Sequence, residues 1–144
     1  MESSNKKIKV IAFASIGGHA VQAKKILDGF RCLESDLYIA EKGSRVFRDF
    51  SRSDFWNALI CAKQLVCIIR KENPSVIMST GAAPGLLSII VGKILFKKTI
   101  WIDSLANPKK LSLSGRLSIL FSDVTLTQWE HLENKKVSYW GGIL

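Results

Sequence analysis

Near its start the chain carries Ile8, Val10, Ile11, Ala12, Phe13 and Ala14, followed at once by Ser15-Ile16-Gly17-Gly18-His19. No other stretch limits the possible folds as strongly. An apolar run of this kind reads as a strand buried on both faces, as in parallel sheets covered by helices. The two glycines allow a tight turn and close approach to a ligand. A helix is then predicted from Gly18 through Val21, Ala23, Ile26 and Leu27 to Gly29. Strand, glycine turn and helix N-terminus together form an anion site, because first-turn amides lack partners and the helix dipole favours negative charge. His19 lies within reach of anything held there. A plain βα connection with a solvated histidine explains the same residues, so the turn alone does not decide.

The remaining chain repeats the pattern. Strands are predicted at 36–40, 75–79, 99–103, 124–127 and 137–140. A long helix capped by Asp54 should stop before Asn73-Pro74, since the residue preceding proline avoids helical angles. Further helices are expected at 86–96, within 111–121 and, briefly, near 128–132. Residues 42–53 read as a mobile basic loop. This alternation predicts one α/β domain over 1–144, a doubly wound, mostly parallel sheet. Ligands of such sheets bind beyond the carboxyl ends of the strands. Ser15 to His19, Thr80 to Gly85 and Asp103 to Asn107 would therefore meet at one edge, although turn-forming residues are common in such loops anyway.

The chain has 21 Lys and Arg against 12 Asp and Glu, a formal charge of +9, which implies an anionic partner. Nucleic acid is disfavoured, because no RNP-like or helix-turn-helix pattern accompanies the scattered basic residues. Cys32, Cys61 and Cys67 sit among apolar residues and read as reduced core residues. With only His19 and His131 available, no metal site is expected. No signal-peptide core precedes the first strand, which favours the cytoplasm. A nicotinamide fingerprint would need a third glycine after Gly17-Gly18 to accompany Glu41, and neither a Walker A loop nor a G-x-S-x-G elbow occurs.

The apolar stretch 86–96 would be on the order of 16 Å long as a helix, too short for a hydrocarbon core of ~30 Å. Ser88 and Gly92 give it one small stripe that suits close packing on the sheet. Either it is a buried crossover helix, or Leu86, Leu87, Ile90 and Ile94 meet lipid. In the second case Lys93, Lys97, Lys98, Lys109 and Lys110 would meet anionic head groups, with Trp101 nearby.

Ser15-x-Gly17-Gly18-His19 with Gln22, then Pro74-x-Val76-Ile77 and Ser79-Thr80-Gly81-Ala82-x-Pro84, together resemble one family. Ile102-Asp103-Ser104-x-Ala106, Leu111-Ser112-Leu113-Ser114-Gly115-Arg116, Asp123, Gln128-Trp129-Glu130 and Tyr139-Trp140-Gly141 extend the resemblance over nearly the whole chain. The family is the Alg/PssD type: small, membrane-recruiting, acceptor-side subunits of two-component glycosyltransferases. More distantly, the chain is similar to the N-terminal half of MurG. The resemblance implies a Rossmann-like, N-terminal half of a GT-B enzyme, inactive alone. A separate catalytic subunit would hold the UDP-sugar, UDP-N-acetylglucosamine in the eukaryotic members, and this chain would need no cofactor of its own.

The resemblance also implies a polyprenyl-diphosphate-linked sugar as acceptor, in lipid-linked oligosaccharide or exopolysaccharide synthesis. Ser15, Gly17 and Gly18 would cradle the acceptor's phosphates, and Thr80, Gly81, Asp103, Ser104, Ser114 and Gly115 would line its cleft. His19 would be the general base of an inverting transfer, a role that suits an imidazole with its unperturbed pKa of about 6.5. The end of the chain, Tyr139, Trp140, Gly141, Gly142, Ile143 and Leu144, would dock the catalytic subunit. The eukaryotic members' N-terminal anchor is not seen here, so peripheral attachment to the cytoplasmic face of a membrane is expected. A non-enzymatic Rossmann-like module for membrane recruitment or nucleotide binding is the alternative.

Overall fold

The computed structural model describes residues 8–30 and 34–143. Strand β1 (Lys9–Ser15) leads into helix α1 (Gly18–Asp28), then β2 (Glu34–Ala40) and α2 (Phe55–Glu72). Next come β3 (Val76–Ser79), α3 (Ala82–Ile94), β4 (Lys98–Ile102), the short α4 (Leu113–Ser118), β5 (Val124–Thr127), a 3-10 turn at Glu130–Leu132 and β6 (Ser138–Tyr139). The six strands form one sheet in the order β2-β1-β3-β4-β5-β6, and each neighbouring pair is parallel. The order reverses at β1, which makes the gap between β1 and β3 the switch point where such sheets take their ligands.

Alternate residues of β1 serve opposite faces, as the pleat demands. Val10, Ala12 and Ala14 pack with Ala20, Ala23 and Leu27 of α1 on one side. Ile11 and Phe13 pack on the other with Cys61, Leu65 and Ile69 of α2 and Ile89 of α3. One face of the sheet thus carries α1, and the other carries α2 and α3. Helix α2 starts where Asp54 accepts a hydrogen bond from the Asn57 N–H at 3.1 Å, and it ends on Asn73 in the left-handed conformation.

The structure revises several expectations. Helix α3 begins at Ala82, four residues earlier than predicted, because Pro84 occupies the first turn, where its missing N–H costs nothing. Its small stripe does lie on the sheet. A Cβ on Gly92 would come within 2.7 Å of the Ile77 Cδ1 atom. The segment 42–53 is held rather than loose. Phe47 is buried edge-on against Phe13 with ring centroids 5.3 Å apart, and the Arg48 guanidinium donates to Asn57 Oδ1 at 3.0 Å. Cys61 is a core residue whose thiol burial pushes up to about 12. Cys67, by contrast, is exposed on the outer side of α2. Cys32 lies outside the described residues.

Candidate active site at the carboxyl edge of the sheet

His19 stands on the first turn of α1, just past the turn that closes β1. Gly17 makes this turn at φ +94°, a conformation that L side chains rarely adopt. The His19 ring reaches across to the end of β3, where Nδ1 lies 3.0 Å from the carbonyl oxygen of Thr80. The Thr80 hydroxyl donates back to the His19 carbonyl at 2.7 Å. Thr80 is fully buried, so this reciprocal latch is fixed from within. A carbonyl can only accept, so Nδ1 carries a hydrogen, and in the neutral ring the lone pair is then on Nε2. The ring also packs flush on Gly81, where a Cβ would overlap ring atoms Cε1 and Nδ1.

Two helix N-termini flank this histidine. α1 starts on Gly17 and α3 on Gly81, and neither has a side-chain cap, whereas Asp54 caps α2 and Ser112 caps α4. First-turn N–H groups of α1 and α3 therefore remain without intrahelical partners at the positive ends of two dipoles. Ala82 enters α3 at φ +65°, a left-handed conformation costing about 1–2 kcal/mol for a residue with a Cβ. Such local strain accompanies functional loops often enough to count with the other features.

A cleft of about 420 Å³ opens between α1 and the loop after β4, lined by Gly18, His19, Gln22, Lys25, Ser104 and Ile143 among others. Gln22 is buried, and its Nε2 has no hydrogen-bond partner among the described residues. Sequence reasoning placed Gln22 only within a motif and did not find Lys25. Their spacing of three and six residues from His19, which puts all three on one side of the helix, was the available signal.

All three predicted loops reach this edge, but not every residue does what was expected. Ser15 closes β1 and is buried; Gly17 and Gly18 are exposed at the turn. Ser104 borders the cleft, its Oγ accepting from the Ala106 N–H at 3.1 Å. Asp103 instead turns to the opposite face, because it shares the side of β4 that carries Trp101. It is 2% exposed, and its oxygens accept from Trp101 Nε1 (3.1 Å), Ser112 N (2.9 Å) and Ser112 Oγ (2.5 Å). Gly115 backs directly onto that carboxylate and gives its N–H to Ser112 Oγ at 2.8 Å. Asp103 and Gly115 thus build the start of α4 and do not line the cleft.

Ser114 faces a second cavity, an apolar groove of about 320 Å³ between α3 and α4. Leu86, Leu87 and Ile90 line it and are half-buried. The remaining residues expected at a membrane separate from these. Trp101 is completely buried under the helices and cannot meet lipid. Lys93 pairs with Asp123 at 2.5 Å, and Lys97 donates to Asn73 Oδ1 at 2.6 Å. Ile94 and Lys98 are exposed, but at the end of the sheet remote from His19. The larger exposed apolar set near the site is on α2 and α4: Phe55, Trp56, Leu59, Leu113 and Leu117.

At the end of the chain, Tyr139 is half-buried on the β6 edge and Trp140 is 70% exposed. Gly141 and Gly142 are exposed, and the Ile143 N–H donates to Gln128 Oε1 at 3.2 Å. Leu144 lies outside the described residues. No helix among the described residues is long and apolar enough to cross a membrane.

Residues 44–144 match a family model described as oligosaccharide biosynthesis protein Alg14 like. The chain is 40% identical over 82 residues to the UDP-N-acetylglucosamine transferase subunit ALG14 of Candida albicans, covering 49% of this chain and 36% of that protein. It therefore spans about a third of that relative's length. Among solved structures, UDP-N-acetylglucosamine 2-epimerase from Rickettsia bellii superposes with a TM-score of 0.72 at 13% identity, over 95% of this chain and 45% of that one. MurG of Acinetobacter baumannii gives 0.69 at 8% identity, over 88% of this chain and 43% of that one. At such identities the likeness is one of fold, and in both cases it covers less than half of a larger protein.

Proposed function

The chain belongs to the Alg14-like family of oligosaccharide biosynthesis proteins, and on that premise we propose that it is the acceptor-side subunit of a two-component, UDP-sugar-dependent glycosyltransferase. Its acceptor is a polyprenyl-diphosphate-linked sugar, and a separate donor-binding chain supplies UDP-N-acetylglucosamine. The pairing is supported by the family match and by the relative described as a transferase subunit, and the sheet offers one wall of a cleft at its carboxyl edge. The pair works at the cytoplasmic face of a membrane, to which this chain binds peripherally.

The observation that carries the reading is the His19–Thr80 latch between two uncapped helix N-termini. The orphan amides of α1 and α3 receive the acceptor's phosphates, with Lys25 adding charge from the next turns of α1. Nε2 of His19, held with its lone pair free, takes the proton from the acceptor hydroxyl. That oxygen bonds to the anomeric carbon as the bond to UDP breaks, which inverts the configuration. A positioned base of this kind contributes about 10²–10⁴-fold. His19→Ala in the reconstituted pair should therefore lower kcat at least a hundredfold, with the complex still formed on size exclusion. Unchanged turnover would remove His19 from the chemistry.

The exposed Trp140 follows β6, and Ile143 beyond it borders the His19 cleft; we assign the donor-binding chain to this side. The alternative of a recruiting module without chemistry predicts that the pair transfers sugar equally well with or without the imidazole.

A further inference from the structure

We propose that the groove between α3 and α4 holds the isoprenoid segment adjoining the acceptor's diphosphate, so that this chain grips the lipid itself and does not leave it wholly in the bilayer. The inference rests on the acceptor reading above. The groove walls are Leu86, Leu87 and Ile90 from α3, facing Leu113 and Leu117 from α4. Arg52 is the one charged side chain lining it, and it makes no ion pair or hydrogen bond among the described residues.

An apolar wall left open to water points to an occupant. Leu113 and Leu117 remain 39% and 41% exposed. Its chemistry follows from the groove's polarity. Ala83, two residues after the Gly81 that faces His19, is among its lining residues, so the groove runs up to the N-terminus of α3, where an anion would sit at its mouth. Arg52 adds a cation to the lining. The groove otherwise offers almost no donors or acceptors, which disfavours a peptide, whose backbone groups would lose their hydrogen bonds there. An occupant with a diphosphate head and a hydrocarbon tail satisfies both ends. A volume of about 320 Å³ admits only the first few isoprene units of a long chain. The rest would pass out between Leu117 and the exposed Phe55 and Trp56 towards the membrane.

The test is a chain-length series on the full chain, titrating inorganic diphosphate and then dimethylallyl, geranyl, farnesyl and geranylgeranyl diphosphate by calorimetry below their micellar concentrations. The expected result is a rise in affinity of at least tenfold from inorganic diphosphate to farnesyl diphosphate, then a plateau once the groove is full. Leu117→Trp and, independently, Leu113→Glu should each remove most of that rise, whereas Ile94→Trp at the far end of α3 should leave it unchanged. No gain with length, a gain without plateau, or a gain that both groove variants retain overturns the inference. So does a straight-chain decyl diphosphate that matches geranyl diphosphate and survives both variants, since it would indicate general lipid affinity. The catalytic reading fails separately, in the turnover of the His19→Ala pair.

Discussion

At the scale of single residues, Gly81 is the most exacting position in the site. The His19 ring occupies the space a Cβ would need, and φ at Gly81 is +151°, where an L side chain is strained. Gly81→Ala should tilt the ring off the Thr80 carbonyl and lower kcat of the reconstituted pair at least tenfold, with a cost in stability of about 1–3 kcal/mol. Full turnover in that variant would mean that the latch does not set the base. Asp103 is exacting in another way. Replacing one of its oxygens with an amide in Asp103→Asn sets a donor against donors, which should cost about 1–3 kcal/mol by urea unfolding and loosen the start of α4. Its acidic character near the site was legible in the sequence, but its direction was misread. The alternation that places Trp101 and Asp103 on one face of β4 was the clue, and it needed the knowledge of which face was covered by helices.

At the scale of elements, the strand–helix alternation and the caps were plain in the sequence because each is a local pattern: Asp54 before α2, Asn73-Pro74 after it, the glycine turn before α1. The loop 42–53 was not legible, since what fixes it is Phe47 docking on Phe13, a distant contact with no periodicity. The membrane-facing surface shows the same limit. Hydropathy singled out α3, yet most of α3 is spent on the sheet and on the groove, and the exposed apolar side chains near the site belong to α2 and α4. Phe55→Glu with Trp56→Glu, residues 67% and 75% exposed, should cut cosedimentation with vesicles containing anionic lipid several-fold. Ile94→Glu with Phe96→Glu, at the opposite end of the sheet, should leave it nearly intact. A reversed ranking would return the membrane contact to the end of α3.

At the scale of the whole molecule, its excess positive charge does not protect it from acid, because several carboxylates hold parts of the fold together in ionised form. Burial works against the charge on Asp123, but the Lys93 ammonium and the N–H and hydroxyl of Thr99 outweigh it and hold Asp123 below its ordinary value of 3.8. Glu72 is likewise held down, first by its hydrogen bond from Lys9, which ties the end of α2 to β1. Groups whose folded values are depressed bind fewer protons folded than unfolded. Their contribution is complete above the ordinary carboxylate range and disappears as pH falls through the lower, folded values. The urea midpoint should therefore be insensitive to these groups between pH 6 and 8 and fall steadily below about pH 4. Asp123→Asn should start from a lower midpoint at pH 7 and lose less on going to pH 3, since it has no carboxylate there to protonate. Because Asp123 is only partly covered, high salt should shrink the difference between the two proteins. An equal acid loss in both would mean that the Lys93–Asp123–Thr99 link, which joins the end of α3 to the starts of β4 and β5, adds nothing to the stability of the sheet that carries the site.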